Sequence, residues 1–189
     1  MVRHLLVTGA PGVGKSTLVS AVVDGLRARH DLRALAGGFV TEEVRGPRGR
    51  TGFDVMTLAG ERGVLARVAR GDQGGPFVGK YAVDVPSFER VALPALTIRP
   101  GIKLMVVDEI GKMEVFSGKF CRAVEAAMDG GPLVLGVVPL PGRRPVVLAE
   151  ALKAREDVDV FCLTRQNRDE AVSRLCSRIA DQLDEMLAE

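Results

Sequence analysis

The chain has 189 residues, enough for one full core, and its 47% hydrophobic and 26% charged residues are those of an ordinary soluble globule. With 26 Lys and Arg against 24 Asp and Glu, the formal net charge of +2 gives no reason to expect a polyanionic partner. The basic residues are scattered apart from Arg45, Arg48 and Arg50, so nucleic acid is not expected.

No stretch approaches the roughly 18 apolar residues of a membrane span, and the N-terminal apolar run is too short for a signal peptide. An intracellular, cytoplasmic protein is expected, without a membrane partner. Cys121, Cys162 and Cys176 are odd in number and lack Cys-x-x-Cys spacing. They read as small buried hydrophobes in a reducing compartment rather than metal ligands or bridges.

In chain order, residues 5 to 8 form a β-type run, then a glycine loop, then a helical pattern from 16 to about 30 with Leu18, Val22 and Leu26 on one stripe. Gly25 costs that helix about 1 kcal/mol relative to alanine, which leaves its second half less secure. Between residues 36 and 85, short β-type runs alternate with glycine, proline and basic turns, which predicts a β-meander attached to or extending the main sheet. The run "SFERVALPALTI" is helical with a break or kink near Pro94, where proline removes an intrahelical donor. "KLMVVD" is a buried strand, and "EVFSGKFCRAVEAAMD" a helix carrying Phe116, Phe120 and Val124 at spacings of four. "PLVLGVVP" and "DVDVFCL" are two further strands joined through a short helix around 146 to 155. The last helix, from about residue 168, carries Val172, Leu175, Ile179, Leu183 and Leu187 on one face. This alternation predicts an α/β fold with a mostly parallel sheet, helices on both sides and one domain over residues 1–189.

The segment "GAPGVGKST" fits Gly-x-x-x-x-Gly-Lys-Ser between a strand and a helix, which is the context a phosphate-binding loop requires. Gly9, Gly12 and Gly14 let backbone amides turn toward one point, and Ala10, Pro11 and Val13 complete the nest with the first helical turn. Lys15 is placed to reach the β- and γ-phosphates, and the Ser16 hydroxyl to ligate magnesium. Thr17 follows either as part of this binding loop or as a helix-forming passenger.

"VVDEIGKME" admits two readings. As Asp-x-x-Gly it is the switch of a regulatory GTPase. As an apolar strand ending in Asp108 and Glu109 it is a Walker B strand, with Asp108 holding Mg²⁺ through water opposite Ser16 and Glu109 accepting a proton from the attacking water. The switch reading also requires Asn-Lys-x-Asp after a later strand. "TRQNRDE" has Asn167, Arg168 and Asp169 at the wrong spacing, so the Walker B reading is preferred.

Together, "GAPGVGKST", "GGFVTEEVR", "GFDVMTLAGERG", "VVDEIGKMEVF" and "TRQNRD" resemble, in order and over nearly the whole chain, the cancer-related nucleoside-triphosphatase family and its thermophile relatives. The resemblance implies a RecA-like variant of the P-loop fold and Mg²⁺-dependent hydrolysis of nucleoside 5′-triphosphates with loose base preference. Gly9, Gly14, Lys15, Ser16, Asp108 and Glu109 match the family pattern, as do Glu42, Glu43, Arg45, Lys112 and Glu114. The acids and base of "TEEVR" could equally be a solvated hairpin face.

Asn167 with Glu170 reads first as a helix-capping pair, and second, with Arg168, as a contact to base or ribose. In "PLPGRRP", Arg144 is either an arginine finger in cis or part of a basic turn. The expected protein is a monomeric nucleoside triphosphatase that splits the substrate by in-line attack of water. A small phosphotransferase using the same loop, or a nucleotide-dependent binding protein with slow hydrolysis, are the alternatives.

Overall fold

Leu5, Leu6 and Val7 are fully buried, so the first strand, β1 (His4–Gly9), presents apolar side chains to both faces of the sheet. A strand covered by helices on both sides needs that continuous pattern. The computed structural model describes residues 2–69 and 75–188. After β1 come α1 (Lys15–Arg27), α2 (Leu32–Leu35), β2 (Ala36–Gly46), β3 (Gly49–Thr57), β4 (Arg62–Val68), β5 (Phe77–Val78) and β6 (Tyr81–Val83). Then follow α3 (Val85–Ala95), β7 (Leu104–Val107), a single 3₁₀ turn (Glu114–Phe116), α4 (Gly118–Asp129), β8 (Leu133–Val137), α5 (Val147–Lys153), β9 (Val158–Leu163) and α6 (Arg168–Ala188).

The strands form one sheet in the order β5-β6-β4-β3-β2-β7-β8-β1-β9. From β2 to β9 the pairings are parallel, and from β2 to β5 they are antiparallel. Strand β2 joins the two regimes. Its first residues, Ala36 to Phe39, pair in parallel with Leu104 to Val107 of β7, and from Phe39 onward it pairs antiparallel with β3. The expected meander is therefore an extension of the main sheet, with residues 70–74 of that stretch outside the described residues.

Alternate residues on the central strands feed two cores. Leu5, Val7, Leu104 and Val106 face α1 and α6, while Leu6, Met105 and Val107 face α3, α4 and α5. On the second face, Phe39, Phe88 and Phe120 meet with ring centroids 5.2 to 6.1 Å apart, tying β2 to α3 and α4. Contacts of this kind add about 0.5–1.5 kcal/mol per pair beyond area burial.

Several local expectations change in the folded chain. Helix α1 stops at Arg27 rather than near residue 30, and Gly25 has a packing reason: a Cβ there would lie 2.9 Å from Cys176 Sγ. Of the break or kink expected near Pro94, the structure has the break: Pro94 sits in the last turn of α3, which ends at Ala95. Phe116 is 46% exposed because Ser117 caps a new helix at Phe120 N, at 3.0 Å, and separates the 3₁₀ turn from α4. On α6, Leu187 is exposed and Val172 only half-buried, while Ala171, Leu175, Ile179, Ala180 and Leu183 face the core. The cysteines are also less buried than expected, Cys162 being exposed and Cys121 and Cys176 half-buried.

Candidate active site

Parallel pairing brings the C-terminal ends of β1, β7, β8 and β9 to one edge of the sheet, where ligands bind in open α/β folds. Strand β8 lies between β1 and β7, so one strand separates the glycine loop from the Asp108–Glu109 pair. Between β1 and α1, Gly9, Gly12 and Gly14 take φ values of 151°, 74° and 106°. Gly14 is the N-cap of α1 in a left-handed conformation, which glycine adopts without Cβ strain. The amides of the first helical turn have no partner inside the helix and are available to an anion.

Lys15 Nζ donates to the carbonyls of Gly9 at 3.1 Å and Ala10 at 3.4 Å, which folds its ammonium over the loop. Ser16 Oγ donates to Asp108 Oδ1 at 3.1 Å, across 92 residues of chain. Thr17 is exposed, as are Ala10, Pro11 and Gly12, with Val13 half-buried.

Asp108 is fully buried, and its Oδ2 has no hydrogen-bond partner. Burial pushes its carboxyl up to about 7, with the Ser16 hydroxyl opposing and the negative charge of Glu109 adding to the rise. Its backbone is fixed from β2, since Asp108 N donates to Phe39 O at 3.2 Å and Thr41 Oγ1 donates to Asp108 O. Thr41 is thus the residue of "TEEVR" that touches the site, rather than the charged residues beside it that match the family pattern. Glu42 pairs with Arg62, and Glu43 with Arg45 at 2.7 Å and Arg50 at 3.2 Å.

Glu109 is half-buried, and burial raises its carboxyl, with Lys15 opposing. Glu114 is buried, its Oε2 accepting from Gly111 N at 3.1 Å. Burial raises it to about 8, with the charge of Glu109 contributing. A Cβ on Gly111 would stand 2.7 Å from Glu109 Oε1 and 2.9 Å from Glu114 Oε2, so this glycine leaves room for two carboxyl groups.

Arg144 and Lys112 border an apolar groove formed with Phe77, Val78, Phe116 and Val147, whose lining includes none of the phosphate-loop residues, Asp108 or Glu109. Asn167 does not form the expected capping box. Its Oδ1 accepts from Thr164 N at 2.8 Å and its Nδ2 donates to Cys162 O at 2.9 Å, which fastens the turn after β9. Arg168 begins α6 and lies near Asp169 at 3.5 Å.

Ser16 Oγ and the unpartnered Asp108 Oδ2 are oxygen donors suited to a hard dication. Among the described residues no three His, Cys, Asp or Glu side chains converge as a metal cage. A dication here would need further oxygens, of the kind a triphosphate carries.

A family model described as NTPase matches residues 4–176. The human cancer-related nucleoside-triphosphatase is 43% identical over 178 residues, covering 89% of this chain and 92% of the relative. The solution structure of a human cancer-related nucleoside triphosphatase superposes with a TM-score of 0.79 at 40% identity, covering 95% of this chain and 98% of that one. The crystal structure of THEP1 from the hyperthermophile Aquifex aeolicus gives 0.76 at 34% identity, covering 91% and 96%. A match of that length, at that identity and with the same fold, makes this chain a member of the NTPase family.

Proposed function

We propose that the protein hydrolyses nucleoside 5′-triphosphates to the diphosphate and phosphate with Mg²⁺ as the metal. The observation that carries the reading is the bond from Ser16 Oγ to Asp108 Oδ1, which joins the glycine loop to the acid-bearing strand. Gly9 to Thr17 cradle the phosphates, and Lys15 leaves its loop carbonyls to offset their charge. Ser16 and Asp108 hold Mg²⁺, which when bound offsets phosphate charge. Glu109 lies beside them in a partly desolvated position, its carboxyl raised by burial, and takes the proton of the attacking water. Arg144, on the loop after β8, is our candidate for a cation meeting the γ-phosphate, and Arg168 for a contact near the base or ribose. The side chain of Asn167 serves the turn instead.

The family match favours a hydrolase over a phosphotransferase or a slow binding protein. We read the chain as one catalytic domain acting as a monomer inside the cell, a reading favoured by the single continuous sheet and the free cysteines. No helix among the described residues is long and apolar enough to cross a membrane.

The test is phosphate release from ATP, GTP, CTP and UTP, with and without Mg²⁺ and with no acceptor added. Release from all four, dependent on the cation, is expected, because no Asn-Lys-x-Asp segment fixes a base edge. A preference for one base above about 100-fold, roughly 2.7 kcal/mol, overturns the low selectivity. Turnover only with an added hydroxyl acceptor overturns hydrolysis.

A further inference from the structure

Glu114 lies at the start of a one-turn helix, and a surface turn would normally leave such an acid in water. Here it is 4% exposed, and its one described hydrogen bond comes from Gly111 N. Among the described residues no Lys, Arg or His pairs with it. A buried carboxyl without a cation costs stability, and an apolar side chain would fill the space at lower cost. The position therefore calls for a reason beyond packing.

The geometry supplies one. Glu109 Oε1 and Glu114 Oε2 lie 2.7 and 2.9 Å from the point where a Gly111 side chain would begin, so the two carboxyl groups close around the same glycine. The backbone here is pinned at both ends, Ile110 N donating to Val137 O at 2.8 Å and Ser117 N to Glu114 O at 3.0 Å. Glu114 thus has a fixed base from which to act on Glu109, whose backbone is held on both sides by the Asp108 and Ile110 amides while its carboxyl has no described hydrogen-bond partner.

We propose that Glu114 is a positioning residue: anchored on the Gly111 amide, its buried carboxyl holds Glu109 where it meets the attacking water. The inference rests on the hydrolase reading above, with Glu109 as the proton acceptor. Two facing carboxylates in a low-dielectric space repel unless one keeps its proton, and the raised position of Glu114, about 8, suits it to offer an O–H to Glu109. Gly111 then has a role other than sensing a γ-phosphate. It is the gap that lets the two acids approach.

Four variants test this: Glu114→Ala, Glu114→Gln, Glu109→Gln and the double variant Glu109→Gln with Glu114→Ala. Glu114→Ala is expected to lower kcat about 10- to 100-fold while the NTP dissociation constant stays within about twofold. Glu114→Gln, which keeps the shape and a donor, should recover most of that rate. In the Glu109→Gln background, Glu114→Ala should change kcat by less than about threefold, because a residue acting through Glu109 has nothing left to position. If Glu114→Ala does not fold, Gly111→Ala carries the test, since it keeps both acids and separates them; it should lower kcat with affinity retained.

A parental kcat in Glu114→Ala or Gly111→Ala overturns the inference. So does a Glu114→Ala loss of equal size with and without the Glu109 carboxylate, or a parallel loss of kcat and affinity. Parental turnover by Glu109→Gln overturns the base assignment and the inference with it. Collapse in Glu109→Gln beside an additive or absent effect at Glu114 overturns the inference alone.

Discussion

In the antiparallel half of the sheet, Asp54 is paired with Arg62 at 3.1 Å and Arg67 at 2.5 Å, Glu42 with Arg62, and Glu43 with Arg45 and Arg50. In the parallel half, Asp108, Glu109 and Glu114 gather with no arginine among their described partners, and the nearby Lys15 ammonium rests on loop carbonyls. The first set of charges is complete within the protein. The second is incomplete, with Asp108 Oδ2 unpartnered and all three carboxyls raised by burial. The difference separates scaffold from site, because charges left unbalanced in the folded chain are the ones a phosphate, a cation and a water can balance.

The largest effect expected from this contrast is at Glu109. Glu109→Gln should keep nucleotide and Mg²⁺ binding while kcat falls about 10²- to 10⁴-fold, the usual contribution of a positioned general base. Equilibrium binding and single-turnover hydrolysis measure the two arms. Parental turnover would break the contrast at its centre and return "VVDEIG" to the switch reading.

A smaller effect concerns stability against pH. Asp108 and Glu114 stand at about 7 and 8 in the folded chain, above their usual 3.8 and 4.5. Over that window the folded state binds more protons than the unfolded state, so stability is greatest below the lower values and falls as pH rises through about 7 and 8. Asp157, held down at about 2 by Arg155, is ionised in both states above pH 5 and adds no slope there. Urea midpoints from pH 5 to 8.5 without divalent cation should decline, and less steeply in Glu114→Gln. An unchanged slope in that variant would remove Glu114 from the unbalanced set.

In the meander the effects should be smaller still and should leave catalysis alone. Asp54→Ala leaves Arg67 without a carboxylate partner and Arg62 with Glu42 alone, and is expected to cost about 1–2 kcal/mol in urea unfolding, with kcat within about twofold of the parent. Arg45→Ala, at an exposed pair, should cost less than about 0.5 kcal/mol. A large loss of turnover in either would show that the meander charges belong to the site after all.

The phosphate loop was legible because its information is local. Gly9 to Ser16 are contiguous, their backbone is set by glycine sterics, and the flanking strand and helix follow from apolar spacing alone. The same holds for most strands and for the meander, where turn residues punctuate short β-type runs. Helix ends were less legible, as at Phe116, where the Ser117 cap starts a new axis, and at Arg27, because caps compete with periodicity over only a few residues.

Only the tertiary structure decided how distant groups meet. The motifs placed Asp108 opposite Ser16, but nothing local gives their direct bond, places Thr41 on the Asp108 carbonyl or gives Gly25 its reason in Cys176. Glu114 is the sharpest case, since a glutamate beginning a short turn looks solvated until the packed chain buries it and the Gly111 amide anchors it. Covalent neighbours determine which backbone shapes are allowed, and those are written in the sequence. Burial, and with it the protonation and the reach of a carboxyl, belongs to the whole packed chain.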